Sequence, residues 1–171
     1  MRRMMTLIVA GALLPVAAHA KAYFAPKAQM VSNSTVVAVV EITEVKSLEP
    51  NAQYGDQQVK AKVTETLAGE TGESLDFRVP CFYPCAITQV TNGTYLVFLS
   101  KGKDGLQGNN WHLSYRPVKD GKIEWYKTDS PYELEWRHRE TVLNEVRRMI
   151  KEAPTTGGRV PSSVQRRSDG A

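Results

Sequence analysis

The sequence predicts a mainly β domain, a five- to six-stranded antiparallel barrel followed by a C-terminal α-helix. Three observations predict it. Between Asp56 and Pro80, apolar side chains recur at every second position on both sides of a glycine-containing break. Thr35 to Val45 is a β-branched run too apolar for a strand with one wet face, and Val142 to Ile150 changes to the 3.6-residue period of an amphipathic helix.

The domain is preceded by Met1–Ala20, which combines Arg2 and Arg3, an apolar run from Leu7 to Ala18 and the small-x-small ending Ala18-His19-Ala20. That is the pattern of a secretory signal peptide, and the run is too short to span a bilayer as a stable helix. The expectation is an exported chain, secreted or periplasmic, that starts at Lys21 and has no transmembrane segment after cleavage. Residues 21–34 lack periodicity and are expected to be an extended lead-in that offers Tyr23, Phe24 and Met30 for packing.

In Thr35–Val45 (TVVAVVEITEV), Val36, Ala38, Val40 and Ile42 share one face, and Val37, Val39 and Val45 the other, which Glu41 and Thr43 interrupt. Such a strand suits a long, bent barrel strand that passes from a covered region to an exposed one. Pro50 and Asn51 mark a loop. Val59, Ala61 and Val63 then alternate with Lys60, Lys62 and Thr64, and Leu75, Phe77 and Val79 with Asp76 and Arg78. With Gly69 and Gly72 between them, the two segments read as a hairpin with one dry face.

After CFYPC and an aperiodic stretch, Asn92-Gly93 marks a turn into TYLVFLS, a strand apolar on both faces. Lys101–Asn110 is a polar, glycine-rich loop without a GxGxxG or Walker pattern, so its glycines serve turns. Trp111, Leu113 and Tyr115 alternate as a strand, Lys119-Asp120-Gly121 is a turn, and Ile123 and Trp125 begin the last strand. Ser130-Pro131-Tyr132-Glu133 has the form of a capping box with proline at the first helical position, which predicts a helix from Ser130 to about Glu152. Val142, Leu143, Val146, Met149 and Ile150 make its apolar stripe; Trp125, Tyr132 and Trp136 are expected to pack helix on barrel. Residues 21–153 form the domain, and 154–171 have the composition of a disordered tail.

The chain's net charge of +4 comes from its ends, because residues 21–153 carry equal numbers of basic and acidic side chains. A neutral domain lacks the basic surface that nucleic-acid binding requires, so no nucleic-acid partner is expected. Cys81 and Cys85 are expected to close a small loop through a disulfide; the alternative, a redox dithiol, lacks the two-residue spacing of that motif. His112 and His138 stand apart without ligand spacing and are expected at the surface, and no nucleophile or metalloprotease motif is present. The chain is therefore expected to be non-enzymatic and to need no cofactor or metal. Phe82 and Tyr83, held between the cysteines, are the candidate partner-binding residues, for an unknown extracytoplasmic protein. The alternative ligand is an envelope oligosaccharide on the barrel face, read by Trp111 or Tyr115.

From Thr35 to Tyr126 the chain resembles the netrin-like branch of the OB-fold, which includes the tissue inhibitors of metalloproteinases and bacterial exported relatives. The resemblance rests on TVVAVVEITEV, on VKAKVTETLAGETGESLDFRV with LAG at the place of a leucine-x-glycine turn, on the cysteine-bearing loop and on GTYLVFLSKG. It implies an OB-like barrel and a binding function. In the inhibitors it also implies a mature N-terminal cysteine that chelates the protease zinc; here the expected first residue is Lys21, and no inhibitory residue carries over.

Overall fold

The computed structural model describes residues 24–49, 52, 54–81 and 87–153. The signal-peptide and tail segments lie outside them. The described strands are β1 (Val36–Ser47), β2 (Gln57–Ala68), β3 (Ser74–Val79), β4 (Gly93–Gly102), β5 (Gly105–Gly108), β6 (Tyr115–Lys119), β7 (Lys122–Tyr126) and β8 (Leu134–His138). Two helices, α1 (Lys27–Ser32) and α2 (Arg139–Glu152), flank them. The strands form one sheet in the order β1-β2-β3-β5-β4-β6-β7-β8, and β1 also pairs with β4. The first five members therefore close into a barrel of OB-like topology, with β3 and β5 parallel and the other neighbours antiparallel. β6, β7 and β8 continue from β4 as an open extension.

The double-faced strands follow from this plan. One edge of β4 is taken by β1; the other is divided between β6 (Thr94–Val97) and β5 (Leu99–Gly102). β1 and β4 thus separate two cores. Val36, Ala38, Val40, Ile42, Val97 and Leu99 fill the barrel with Val59, Phe77 and Val79. Val37, Val39, Leu96 and Phe98 point outward and pack under the helices with Met30, Trp125, Leu143 and Val146. A core on each side explains why neither face of these strands needs polar residues.

Three register shifts bend the β1–β2 pair. The shift between Ile42 and Glu44 reverses the alternation, so Val45 turns into the barrel core, opposite to the face that simple alternation assigns it. Beyond the shifts nearer its C-terminal end, β2 turns Leu67 and Ala68 to the helix-side core. Glu65 there receives both Arg139 and Arg147 of α2, tying the helix to the barrel.

The expected helix over 130–152 is corrected at its start. Residues 134–138 are β8, and α2 begins at Arg139 with no side-chain cap. Ser130-Pro131-Tyr132-Glu133 instead makes the reversal between β7 and β8: the Glu133 amide donates to the Ser130 carbonyl (3.5 Å) and the Lys127 amide to the Glu133 carbonyl (2.9 Å). Proline suits the second position of such a turn as well as the first of a helix, and the tertiary pairing of Trp125 with Glu135 decides between them. Trp125 is fully buried, but Tyr132 and Trp136 are exposed, so these two do not pack helix on barrel.

Two further expectations change. The lead-in contains α1, whose Met30 and Val31 are buried. Trp111–Ser114 is a 3-10 turn, and only at Tyr115 does the strand start. Consequently His112 is half-buried, edge-on to Phe24 at 5.3 Å, and its pKa is held below the ordinary value by burial and by nearby Arg116. His138 is exposed at the end of β8.

Candidate functional site

The connection from β3 to β4 leaves the barrel mouth at Cys81 and returns by Val90. Adjacent residues at the start of β2 grip both limbs. Asp56 Oδ1 accepts the Cys81 amide (2.7 Å), and the Gln57 side chain both donates to the Val90 carbonyl (3.2 Å) and accepts the Val90 amide (2.9 Å). The Gln57 carboxamide thereby mimics one rung of a β ladder where the chain is irregular. Asp56 Oδ2 in turn holds Arg78, through Nε at 2.9 Å and through Nη2, and Arg78 Nη1 reaches Asp104 at 3.0 Å. β2, β3 and the β4–β5 turn are thus fastened together directly below Cys81.

Next to that clamp lies a cavity of about 100 Å³ lined by Pro80, Gly108, Asn109, Trp111 and Tyr115. The Tyr115 hydroxyl accepts the Gly108 amide (2.8 Å) and donates to the Arg78 carbonyl (3.1 Å). Burial pushes its phenol well above the ordinary value, so it stays protonated and keeps both bonds. A side chain at Gly108 would collide with this hydroxyl, which is why glycine stands there. Trp111 has a left-handed backbone (φ 53), a conformation that costs a bulky residue and that the surrounding contacts must hold. Asn109 binds the Met30 carbonyl (3.0 Å) and Ser34 Oγ (2.9 Å), and Asn110 binds the Ala25 amide and carbonyl (2.8 and 2.9 Å). The same corner therefore anchors α1 and the residues on either side of it.

Of the residues singled out from sequence, Cys81 is half-buried at the base of the loop and unbridged among the described residues. Phe82, Tyr83 and Cys85 lie outside the described residues. Tyr115 is buried between Phe77 and the cavity, so it does not offer the ring face that sugar recognition on the barrel surface requires. On the outer face Glu44 pairs with Lys60 (3.1 Å), which Asp76 flanks from β3, while Glu65 serves α2. Among the described residues no three His, Cys, Asp or Glu side chains gather as a metal site, and no helix is long and apolar enough to cross a membrane.

Asp56, Gln57 and Asn109 escaped the sequence reading. A polar pair ahead of an alternating strand reads as loop, and the signal that could have marked Gln57 was its place in the apolar phase with Val59 and Ala61.

A second polar cluster seats the helices. Glu145 on α2 accepts Lys27 of α1 (2.7 Å), Arg137 of β8 (2.9 Å) and the Trp125 indole N–H (3.3 Å). Burial alone would raise the Glu145 pKa, but Lys27 and Arg137 outweigh it and hold the carboxyl below its ordinary value.

A scan against protein-family models finds no match to this chain, and a search of curated proteins finds no significant relative.

Proposed function

We propose that this protein is an exported, non-enzymatic protein-binding module of the netrin-like OB-fold type, which presents the 81–85 loop with Phe82 and Tyr83 to an extracytoplasmic protein. The observation that carries the reading is the two-sided grip of Asp56 and Gln57 on the limbs of that loop. A recognition loop gains affinity when its ends are fixed to a rigid frame, because less ordering entropy is lost on binding. A Cys81–Cys85 disulfide would restrict the loop further.

The test is crosslinking of the exported protein in its native compartment, followed by identification of the captured proteins. The Phe82→Ala/Tyr83→Ala variant is expected to lose them while melting like the wild type. An unchanged set of captured proteins would refute the loop contact. Thiol alkylation of the native protein checks the disulfide: the expected result is no labelling without reductant, and labelling of both cysteines overturns it.

A further inference from the structure

We infer that the chain forms a two-fold symmetric homodimer in which the β8 strands of two copies pair antiparallel about Trp136 and continue the sheet. β8 is the terminal strand of the sheet. Its backbone hydrogen bonds alternate: the Glu133 carbonyl and the Arg139 amide bond the β7 side, at Lys127 and Gly121. By the same alternation Glu135 and Arg137 face β7, whereas the amides of Leu134, Trp136 and His138 and the carbonyls of Leu134 and Trp136 face outward. No bond to these groups exists among the described residues.

Sheet edges of this kind are usually protected by proline, lysine or a bulge. LEWRH has no proline, lysine or bulge and its register with β7 is continuous; its protection is its shortness and the charges of Glu135 and Arg137, which a second copy of the same strand can neutralise. It places Trp136, 46% exposed, at its centre, beside a surface hollow of about 420 Å³ lined by Lys119, Asp120, Lys122 and Trp136. Glu135 is exposed and makes no ion pair among the described residues.

The sequence of the edge selects both a partner and a register. Antiparallel pairing must match outward-facing residues with outward-facing residues. Centring on Trp136 sets Leu134 opposite His138, Trp136 opposite Trp136, and Glu135 opposite Arg137 twice. Sliding by one symmetric step sets Glu135 against Glu135, with Glu133 opposite Arg137, or Arg137 against Arg137, with Glu135 opposite Arg139. A further step sets Glu133 against Glu135 or Arg137 against Arg139. Like charges directly opposite one another destabilise a pair and opposite charges stabilise it, and the register centred on Trp136 is the one among these that contains no like-charge pair. β8 is complementary to itself, which is the property an isologous two-fold interface needs. A perpendicular two-fold keeps α2 of both copies on the same face of the joined sheet. This edge is separate from Cys81 and Val90, the described limbs of the β3–β4 connection, and the dimer would present two such connections.

The experiment is sedimentation velocity on the mature chain, residues 21–171, from about 5 to about 500 µM, a range suited to a small interface. The wild type is expected to pass from monomer to dimer, with the outward amides of Trp136 and His138 slowed in hydrogen exchange as dimer accumulates. Glu135→Arg, at an exposed position without a partner, is expected to weaken dimerisation roughly tenfold or more, because the new guanidinium then stands opposite Arg137 of the second copy. Arg137 also holds Glu145 of α2, so it is left unchanged in the test. Matched thermal melts of Glu135→Arg and wild type separate loss of pairing from loss of fold. A wild type that stays monomeric throughout, an unchanged association of Glu135→Arg, or exchange protection that maps outside β8 would each overturn the proposal, as would β8 protection independent of protein concentration, the result expected if the chain's own tail occupies the edge.

Discussion

Replacing Asp56 tests whether the frame of the loop is built as described. Its carboxylate holds the Arg78 guanidinium and the Cys81 amide at once, and its side chain is 14% exposed against 31% for Arg78. Removing one partner from a fully buried ion pair costs about 3–5 kcal/mol. Here the cost is smaller, because Arg78 keeps Asp104 and some contact with water. Adding about 1 kcal/mol for the Cys81 hydrogen bond, Asp56→Ala should lose about 2–3 kcal/mol in all. Asp56→Asn keeps an acceptor for Cys81 and should lose about half of that. With a urea dependence of about 1–3 kcal/mol per M, the alanine variant shifts the midpoint by roughly 1 M. Hydrogen exchange supplies the local readout: the Cys81 amide should exchange faster in Asp56→Ala by more than the global loss explains, while amides of β4 follow the global change. If the loop acts in recognition, the same variant loses partner capture with Phe82 and Tyr83 intact. An unchanged midpoint together with a protected Cys81 amide would refute the clamp.

Two further outcomes follow from the same structure. Gly69 adopts φ +80, and a Cβ there would collide with the Thr35 carbonyl oxygen, so Gly69→Ala should lower stability by about 2 kcal/mol or more; an unchanged melting temperature would contradict the close approach of β2 to the start of β1. The folded-state pKa of Glu145 is depressed below its ordinary 4.5. Its contribution is therefore complete above that value and is lost as pH falls through the lower, folded value. Urea midpoints of the wild type should decline over that acid range, and Glu145→Gln should be less stable near neutrality with a shallower decline; parallel profiles would show that Lys27 and Arg137 do not act through this carboxylate.

The barrel was legible because its information is local. Period-two alternation in 59–63 and 75–79, and apolar residues on both faces of 36–40 and 96–99, survive into the structure as hairpin and shared strands. What was not legible depends on partners distant in sequence. Val45 changes face because β1 gains a residue against β2, a relation between two segments rather than a property of either. The SPYE segment fits a helix cap and a turn equally well, and the β7–β8 pairing selects the turn. The clamp is harder still: Asp56 meets Cys81, and Gln57 meets Val90, across 25 and 33 positions, and polar residues carry no periodic trace of such contacts.

The sharing of β1 and β4 between two cores bears on how the two surfaces of the molecule relate. Val97 and Leu99 face the barrel, whose mouth carries the loop, whereas Leu96 and Phe98 face the layer that supports β7 and, through it, β8. Alternate side chains of one strand thus join the loop frame to the β8 edge. A cavity made on either side of β4 displaces the same backbone, and packed cores transmit such shifts because they do not deform smoothly. Phe98, stacked at 5.7 Å on Trp125, is one link from β4 to the β7–β8 edge, since Trp125 also donates to Glu145 and pairs with Glu135. The Asp56–Gln57 frame and the β8 edge consequently belong to one sheet, and in the proposed dimer two such frames would stand at the fixed separation that the joined sheet imposes.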